Sequence, residues 1–339
     1  GCHRGRWTVW KVREMGDCEP EEKIPSLDTK THMKRSQSTS DVHHKSANDI
    51  MDMLAKIRHV GLKEHWWVSP EEVKLFVGKP NLGVVSKVYE ADWRSLKIAV
   101  KTVKDAGRQR HENLEELMSE IAVWRTLRHP NIVMFLGATY NHDLGLMLLL
   151  EHMPGGTLKQ YLEKRKGITT SENWKICLDI SRALAFLHTC NPPVAHGDLK
   201  PANILFNAFG SCKIADFGLS RFVTPASPQR TPQGVFVGAR YIAPELLLSL
   251  TMLLESDVYS FGMIMVDLFR RQGPISYSDL HYKTRAKKGL AENIDDIKDV
   301  RAKEIISQCI LHDPTKRTNF SKISDTIEAF PKQDKCGLI

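Results

Sequence analysis

The feature that most limits how this chain can fold is a change in its hydrophobic pattern at Gly155-Gly156. Before these glycines, short runs rich in β-branched residues are separated by glycine, asparagine and proline, which is typical of strands joined by turns. After them, apolar residues recur mostly at helical spacing. A strand-rich segment followed by a helix-rich one predicts an α+β fold with two lobes and a cleft at their junction.

The elements expected in the two segments follow from these periodicities. Strands are predicted over 73–77, 84–89, 97–100, 132–135 and 146–150, and a long helix over 114–127. In the second segment, helices are predicted over 174–187, 256–269 and 300–311. The N-lobe should therefore be small, β-rich and equipped with one long helix, whereas the C-lobe should be larger and helical.

The two ends of the chain lack this patterning. Residues 1–65 mix charges of both signs and contain few apolar residues, which predicts a mostly disordered arm. One short amphipathic helix is expected within the arm, over 50–60, where apolar residues recur at helical spacing. The patterned domain is predicted over 66–330, and 331–339 is predicted to be a C-terminal tail.

Composition excludes several classes of protein. No apolar run is long enough to cross a bilayer, and no secretory signal is visible. The seven cysteines are scattered and never form a CxxC pair, which favours a reducing compartment over a disulfide framework or a zinc site. The net charge is +8, but no basic stripe is interleaved with aromatic residues, so no nucleic-acid partner is predicted. We expect a cytoplasmic protein.

Acidic, basic and amide residues recur in an order that suits phosphoryl transfer. The run from His196 to Asn203 precedes Asp216-Phe217-Gly218, so two carboxylates and an amide lie on loops flanking short strands. Such groups can place a base and metal ions together. Upstream, Lys101 ends a strand and Glu120 lies on the next helix. Taken singly, these residues could be turn aspartates or a surface ion pair, whereas their combination favours a catalytic site.

These motifs resemble those of the eukaryotic protein kinases, over about residues 67–330. The resemblance implies that Lys101 grips the α and β phosphates of ATP and that Glu120 is its partner. It also implies that Asp198 is the catalytic base and that Lys200 steadies the γ-phosphate.

The same resemblance assigns the metal and nucleotide contacts. Asn203 and Asp216 match the Mg²⁺ ligands, with ATP as the phosphoryl donor. The residues expected to bind the nucleotide come from the glycine-rich loop, the first strands, the hinge and the floor of the cleft: Pro80, Asn81, Gly83, Ser86, Val88, Ala99, Lys101, Leu150, Glu151, Met153 and Leu205.

Structural roles are also implied by the resemblance. Ala243-Pro244-Glu245 would close the activation segment, with Arg317 as the ion-pair partner of Glu245, and Asp257 would brace the catalytic loop. An internal stack is expected from Trp124, Phe135, Phe217 and His196. An ordinary aromatic core is the alternative interpretation of that set.

Within the family, the sequence resembles the tyrosine-kinase-like group that includes Raf and many plant and protist kinases. The run Trp67 to Glu72, Trp93 and the run His129 to Gly137 carry this likeness. Lys200, two residues after the catalytic aspartate, resembles serine/threonine kinases. The implied reaction is therefore transfer of the γ-phosphoryl group of ATP to serine or threonine of protein substrates in signalling.

The glycine-rich loop departs from the family pattern. Asn81 and Ser86 stand where the family has its first and third glycines, Gly83 keeps the second, and Pro80 stiffens the entry. Asparagine tolerates positive φ and serine is small, so the loop can still fold over ATP. We expect weaker nucleotide binding than is usual in the family.

Two further departures concern regulation and turnover. Gly197 replaces the arginine that pairs with a phosphorylated activation loop, so phosphate would lose its usual anchor. The candidate sites for that phosphate are Thr224, Ser227 and Thr231. The resemblance then implies activity that does not depend on activation-loop phosphorylation. Gly238, or Ala239 after a one-residue shift, stands where serine/threonine kinases carry a threonine, which weakens the case for that specificity and for high turnover.

Alternatives remain open from the sequence. A pseudokinase that binds partners as a scaffold is supported by the loop substitutions, Gly197 and Gly238. The kinase-like module of a receptor cyclase is disfavoured, because the sequence shows neither a membrane span nor chain left for a cyclase. The expected partners are protein substrates, with a dimer of kinase domains as an open alternative. Membrane association is expected only if Cys2 or Cys336 is lipidated.

Overall fold

The computed structural model describes residues 39–76, 81–82, 86–103, 110–164, 169–223, 229–230, 239–270, 279–290 and 292–330. The described chain divides into two compact units. The first consists of residues up to 115 together with Leu136–Leu149, and the second of Glu116–Phe135 together with residues from 150 onward. The proposed boundaries at 65/66 and 330/331 stay predictions.

A twisted antiparallel sheet forms the centre of the first unit. Its strands are β1 (Val73–Leu75), β2 (Asn81–Leu82), β3 (Ser86–Trp93), β4 (Leu96–Val103), β5 (Phe135–Asn141) and β6 (Gly145–Glu151). Five of them follow the order β1-β3-β4-β6-β5, and β2 pairs with β3. One face of the sheet is closed by a buried apolar cluster of Val68, Ala91, Ile98, Val100, Met147 and Leu149.

The β3–β4 hairpin fixes the register of the candidate nucleotide-binding residues. Its two-residue turn, Arg94-Ser95, has positive φ at both positions, +48° and +66°, as tight hairpins with the right-handed strand twist require. The resulting pairing sets Val88 opposite Lys101. Since residues directly opposite each other point to the same face, these two side chains share one side of the sheet.

An N-terminal helix, α1 (Thr39–Lys63), precedes the sheet and includes the predicted 50–60 helix as its later part. A Cβ atom on Gly61 would lie 2.8 Å from the indole ring of Trp66, so the glycine allows the ring to fold back on the helix end. The chain then pairs with the edge of β5: Val68 N donates to Ala138 O (2.9 Å) and Ala138 N donates to Trp66 O (3.0 Å). The arm is thereby joined to the sheet.

The strand predicted over 132–135 is wrong in its position, because β5 begins at Phe135 and runs to Asn141. Ile132 instead forms an isolated parallel bridge with Ile214. The bridge is made by Ile214 N donating to Asn131 O (2.8 Å) and Val133 N donating to Ile214 O (2.9 Å). These residues therefore anchor a loop of the second unit.

The second unit is mainly helical. Its helices are α2 (Arg110–Trp124), α3 (Leu158–Lys164), α4 (Thr170–Thr189), α5 (Pro244–Ser249), α6 (Leu254–Phe269), α7 (Asp279–Lys287), α8 (Val300–Cys309) and α9 (Phe320–Glu328). Only the part of α2 from Glu116 onward belongs to this unit. Short strand pairs connect them: β7 (Val194–Ala195) with β10 (Arg221–Phe222), β8 (Ile204–Phe206) with β9 (Cys212–Ile214), and β11 (Gln229–Arg230) with β12 (Thr251–Met252).

Helix α6 is the apolar centre of this unit, with every residue from Ser256 to Leu268 except Tyr259 buried. Gly262 allows close packing on α8, because a Cβ there would lie 2.7 Å from Cys309 Cβ. The predicted pair of Glu245 with Arg317 is confirmed: both guanidinium ends donate to the carboxylate at 2.8 Å. No helix among the described residues is long and apolar enough to cross a membrane.

Candidate active site

The side chain of Asp257, on α6, is hydrogen-bonded to the backbone of the loop that follows β7, as predicted. Its carboxylate accepts hydrogen bonds from the backbone amides of His196 (2.8 Å) and Gly197 (2.9 Å). His188 Nε2 lies 3.0 Å from the same group. Burial alone would raise the pKa of Asp257, but the hydrogen bonds from His188 and from the Gly197 amide hold it below its ordinary value. An ionised carboxylate therefore shapes the loop.

The His196 ring links this loop to the segment before Asp216. Its Nε2 lies 3.2 Å from Ala215 O, and Asp198 N donates to its Nδ1 (3.3 Å). Because a carbonyl oxygen can only accept, Nε2 carries the hydrogen and Nδ1 is the acceptor. The ring is thus fixed in orientation and tautomer.

Three polar side chains converge at the end of the loop. Lys200 Nζ contacts both carboxylate oxygens of Asp198, at 2.9 and 2.6 Å. Asn203 Nδ2 donates to Asp198 Oδ2 (2.9 Å) and to the backbone oxygen of the same residue (2.8 Å). The carboxylate is therefore oriented by two neighbours while 22% of its side chain stays exposed. A carboxylate placed in this way can accept a proton from a hydroxyl group.

Asn203 and Asp216 are brought to adjacent positions by the backbone. Ala215 N donates to Asn203 O (2.9 Å), so the residue before Asp216 is bonded to the backbone of Asn203. Both donors of that amide face Asp198, so its Oδ1 is the oxygen that could face a cation. Asp216 has a positive φ of +68°, a strained setting for a residue other than glycine that is common at functional sites. One amide and one carboxylate oxygen fit the preferences of Mg²⁺, which binds few protein groups.

A pocket lies beside Asp198, lined also by Lys200, Tyr241, Ile242 and Leu246. Tyr241 is fixed there because its hydroxyl donates to Asp267 (2.6 Å). The neighbouring Arg240 reaches the other oxygen of Asp267 (2.7 Å) from a buried position. Burial and the charge of Asp267 raise the pKa of Tyr241, so the phenol stays protonated. The sequence had not singled out this ion pair, since no motif marks residues 27 positions apart.

The hinge after β6 carries a second ion pair that the sequence did not reveal. Lys213 Nζ contacts both oxygens of Glu151, at 2.7 and 2.8 Å. Strand alternation in β9, where Cys212 and Ile214 are buried, could have indicated that Lys213 faces outward. Beyond the hinge, Gly155 N donates to Phe206 O (2.9 Å), and a Cβ on Gly155 would lie 2.6 Å from Phe206 Cβ.

The predicted nucleotide-binding residues fall into both units. Leu150 is buried, and Glu151, Met153 and Leu205 are partly buried in the second unit. Val88 and Ala99 are partly buried and Lys101 is 9% exposed on the sheet of the first. Glu120 is 2% exposed on α2. The pairing of Lys101 with Glu120 stays a prediction.

Several predicted residues cannot be placed. Asn81 and Ser86 are described only as backbone in β2 and β3. The following lie outside the described residues: Pro80, Gly83, Thr224, Ser227, Thr231, Gly238, Cys2 and Cys336. Ala239 is described, and it is buried.

Three members of the predicted stack, Trp124, Phe217 and His196, are in ring contact. The ring centroids of Trp124 and Phe217 lie 5.1 Å apart, and those of Phe217 and His196 lie 5.2 Å apart. Trp124 Nε1 also donates to Val133 O (2.6 Å). Phe135, the fourth predicted member, is 3% exposed. The indole hydrogen bond ties α2 to the loop before β5 in addition to filling space.

Residues 77–327 match the family model described as protein tyrosine and serine/threonine kinase. This chain belongs to that family, and its α+β fold, with a curled sheet and a helical part, confirms the predicted fold class.

Three curated relatives are 28–32% identical to this chain over the residues that align. The probable serine/threonine-protein kinase SIS8 of Arabidopsis thaliana is 32% identical over 254 residues, which cover 74% of this chain and 24% of the relative. Serine/threonine-protein kinase STY17 of the same plant is 28% identical, covering 87% and 50%. The dual specificity protein kinase shkE of Dictyostelium discoideum is 31% identical, covering 79% and 38%. The chain thus spans half or less of each of these relatives.

Proposed function

We propose that this chain is an ATP-dependent protein kinase that transfers the γ-phosphoryl group to serine or threonine of protein substrates. The observation that carries the proposal is the Asp198 carboxylate, which is oriented by Lys200 and Asn203. It lies on a loop whose amides are bonded to Asp257. The relatives reported above are named as kinases, so none of them favours the scaffold alternative.

Each of these residues has a distinct part in the proposed reaction. Asp198 accepts the proton of the substrate hydroxyl and directs that oxygen at the γ-phosphorus. Lys200, bonded to Asp198 in the described state, can turn to the γ-phosphate when ATP is present. Asn203 and Asp216 would hold Mg²⁺, which neutralises charge on the phosphates. Lys101 is proposed to bind the α and β phosphates, with Glu120 as its partner.

Val88, Ala99 and Leu205 are proposed to contact the nucleotide base. Glu151 and Met153 would offer the hinge backbone to it, next to Leu150. The pocket beside Asp198 would admit the substrate hydroxyl, with Tyr241 and Ile242 on its wall. A kinase-domain dimer and lipidation of Cys2 or Cys336 stay predictions.

We further propose that activity does not require phosphorylation of the activation loop. Gly197 supplies no guanidinium group to a phosphorylated residue, and phosphate-mediated ordering depends on such cations.

Replacing Asp198 by asparagine tests the proposal. Without a proton acceptor, transfer of ³²P from ATP to a protein substrate should fall by at least about a hundredfold, while the melting temperature stays close to that of the wild type. Phospho-amino-acid analysis of the wild-type product should show phosphoserine or phosphothreonine. Asp143→Asn, in an exposed turn, is the matched control and should leave the rate unchanged. Full transfer by Asp198→Asn would refute the assignment.

A further inference from the structure

Gly197 lies in a backbone conformation that favours glycine, and the end of the Met252 side chain occupies the space beside its Cα. Its φ is +75°, in the region that favours glycine. A Cβ atom at this position would overlap Cε of Met252, and it would lie 3.0 Å from Sδ of the same residue. The Met252 thioether therefore occupies the space that the side chain of a larger residue at position 197 would need.

Met252 belongs to a small apolar cluster that we call the Met252 cluster, made of Ala195, Val223, Leu246 and Met252. Met252 is completely buried. Ala195 precedes the catalytic loop, Val223 lies early in the activation segment, and Leu246 follows its end. One side chain thus contacts a cluster that joins the catalytic loop to both ends of the activation segment.

Strand pairing ties the same elements together. β10 pairs with β7, with Arg221 opposite Ala195, and Val223 N donates to Pro193 O (2.8 Å). β12 pairs with β11, with Met252 opposite Gln229. Met252 therefore lies at the point where the backbone of the activation segment and the apolar cluster meet.

The chemistry of the cluster differs from that of a phosphate site. The side chains of its members carry neither a charge nor a hydrogen-bond donor. Burying a phosphate among such groups is strongly unfavourable. Contacts between methyl and methylene groups form without phosphorylation of any residue. Building on the proposed kinase activity, we propose that Met252 is a positioning residue: it holds the activation segment against the catalytic loop in the place of a phosphate-dependent ion pair.

The proposal is tested by local hydrogen exchange, which does not depend on catalysis. In Met252→Ala, amides of Arg221–Phe222 and Gln229–Arg230 should exchange at least about tenfold faster than in the wild type, because the cluster that packs on them loses its largest member. Met252→Leu should restore slow exchange. Met265→Ala is the matched control, since Met265 is equally buried in α6 but lies outside the cluster. It should lower the melting temperature without speeding exchange at these four amides.

Kinetics give the second measurement. Met252→Ala should lower kcat by about tenfold and raise KM for a protein substrate, and it should leave KM for ATP within about twofold. Met265→Ala, assayed below its melting temperature, should keep the wild-type kcat. If Met252→Ala does not fold, Met252→Val replaces it, because valine suits the strand and still removes Sδ and Cε.

The outcomes separate the two proposals. Unchanged exchange at the four amides in the folded Met252 variant, or an equal acceleration in Met265→Ala, would overturn the role of Met252. If the wild-type chain transfers no phosphate but exchange responds to Met252 alone, the proposed activity fails while the anchoring role stands.

Discussion

Asp257 shows how a single buried charge shapes the catalytic loop. Its two carboxylate oxygens satisfy the amides of His196 and Gly197, and His188 contacts one of them. Asparagine has the same shape but offers only one acceptor oxygen. Its NH₂ group would face a donor that now has no partner, and such a mismatch in the interior is costly.

The first prediction concerns stability against pH. The pKa of Asp257 is lowered on folding, so ionisation favours the folded state. This contribution is complete above the unfolded aspartate pKa of about 3.9 and is lost as the pH falls through the lower folded value. The unfolding free energy of Asp257→Asn should therefore be about 2–3 kcal/mol below that of the wild type at neutral pH, and this difference should shrink below about pH 4.

Urea denaturation at a series of pH values from neutral to acid measures this difference. Asp295→Asn is the control, because the Asp295 side chain is 87% exposed, and it should change the unfolding free energy by less than about 0.5 kcal/mol. A difference for Asp257→Asn that stays constant throughout the acid range would contradict the assignment.

Residues inside motifs were predictable, and residues outside them were not. Asp257 and Arg317 could be named because the short motifs around them resemble those of the kinase family. The contact between Gly197 and Met252 could not, since it depends on a loop conformation and on packing between residues 55 positions apart in the sequence. The substitution at Gly197 was visible, but the side chain that fills the space was not.

At the level of elements, the activation segment is attached by two strand pairs, β10 with β7 and β11 with β12. Our second prediction follows from this attachment and from Gly197. Replacing Thr224, Ser227 and Thr231 together by alanine should change the transfer rate by less than about fivefold, because no arginine at position 197 awaits a phosphate.

The measurement compares the triple variant with wild-type protein before and after phosphatase treatment. All three preparations should transfer phosphate at similar rates. A loss of activity in the triple variant and in the phosphatase-treated wild type, reversed in the latter by rephosphorylation, would show that a phosphate does organise the segment.

Sequence periodicity located elements better than it located their ends. The strand expected over 132–135 begins only at Phe135, since Ile132 and Val133 use their backbone groups to bond Ile214. Such a pairing is long-range and leaves no periodic trace. Helix α1 extends back to Thr39, through residues whose polarity had suggested disorder. In the first case a long-range backbone contact decides the conformation, and in the second the helix continues through residues whose hydrophobic pattern is weak.

For the whole molecule, the α+β class and the kinase family were readable because the strand and helix periods are segregated along the chain and the motifs occur in order. The geometry of the catalytic loop was implied by that resemblance. The ion pairs of Lys213 with Glu151 and of Arg240 with Asp267 were not, because charged residues at the surface and in the interior look alike in a sequence.

The third prediction tests nucleotide binding by the entire chain. ATP with Mg²⁺ should stabilise the folded protein by RT ln(1 + [ATP]/Kd), about 2.7 kcal/mol at a hundredfold excess over Kd. Because Asn81 and Ser86 replace glycines, we expect a Kd of tens to hundreds of micromolar, roughly 5–6 kcal/mol of binding free energy. Millimolar ATP should thus be needed for a clear rise in melting temperature.

Variants separate the metal from the nucleotide. Asp216→Ala should remove the part of the rise that depends on Mg²⁺, and Lys101→Met should reduce the part that remains in EDTA. Asp143→Ala, in the exposed turn, serves as the control and should melt like the wild type at every ATP concentration. A wild-type melting temperature indifferent to millimolar ATP with Mg²⁺ would count against the proposed kinase activity.

The apolar nature of the Met252 cluster has a consequence for temperature. Contacts between hydrocarbon groups weaken as water is cooled, whereas an ion pair responds mainly to dissolved salt. An activation segment held by Ala195, Val223, Leu246 and Met252 should therefore loosen in the cold and be nearly indifferent to ionic strength. Chilling, rather than a phosphatase, would be the condition that disengages it.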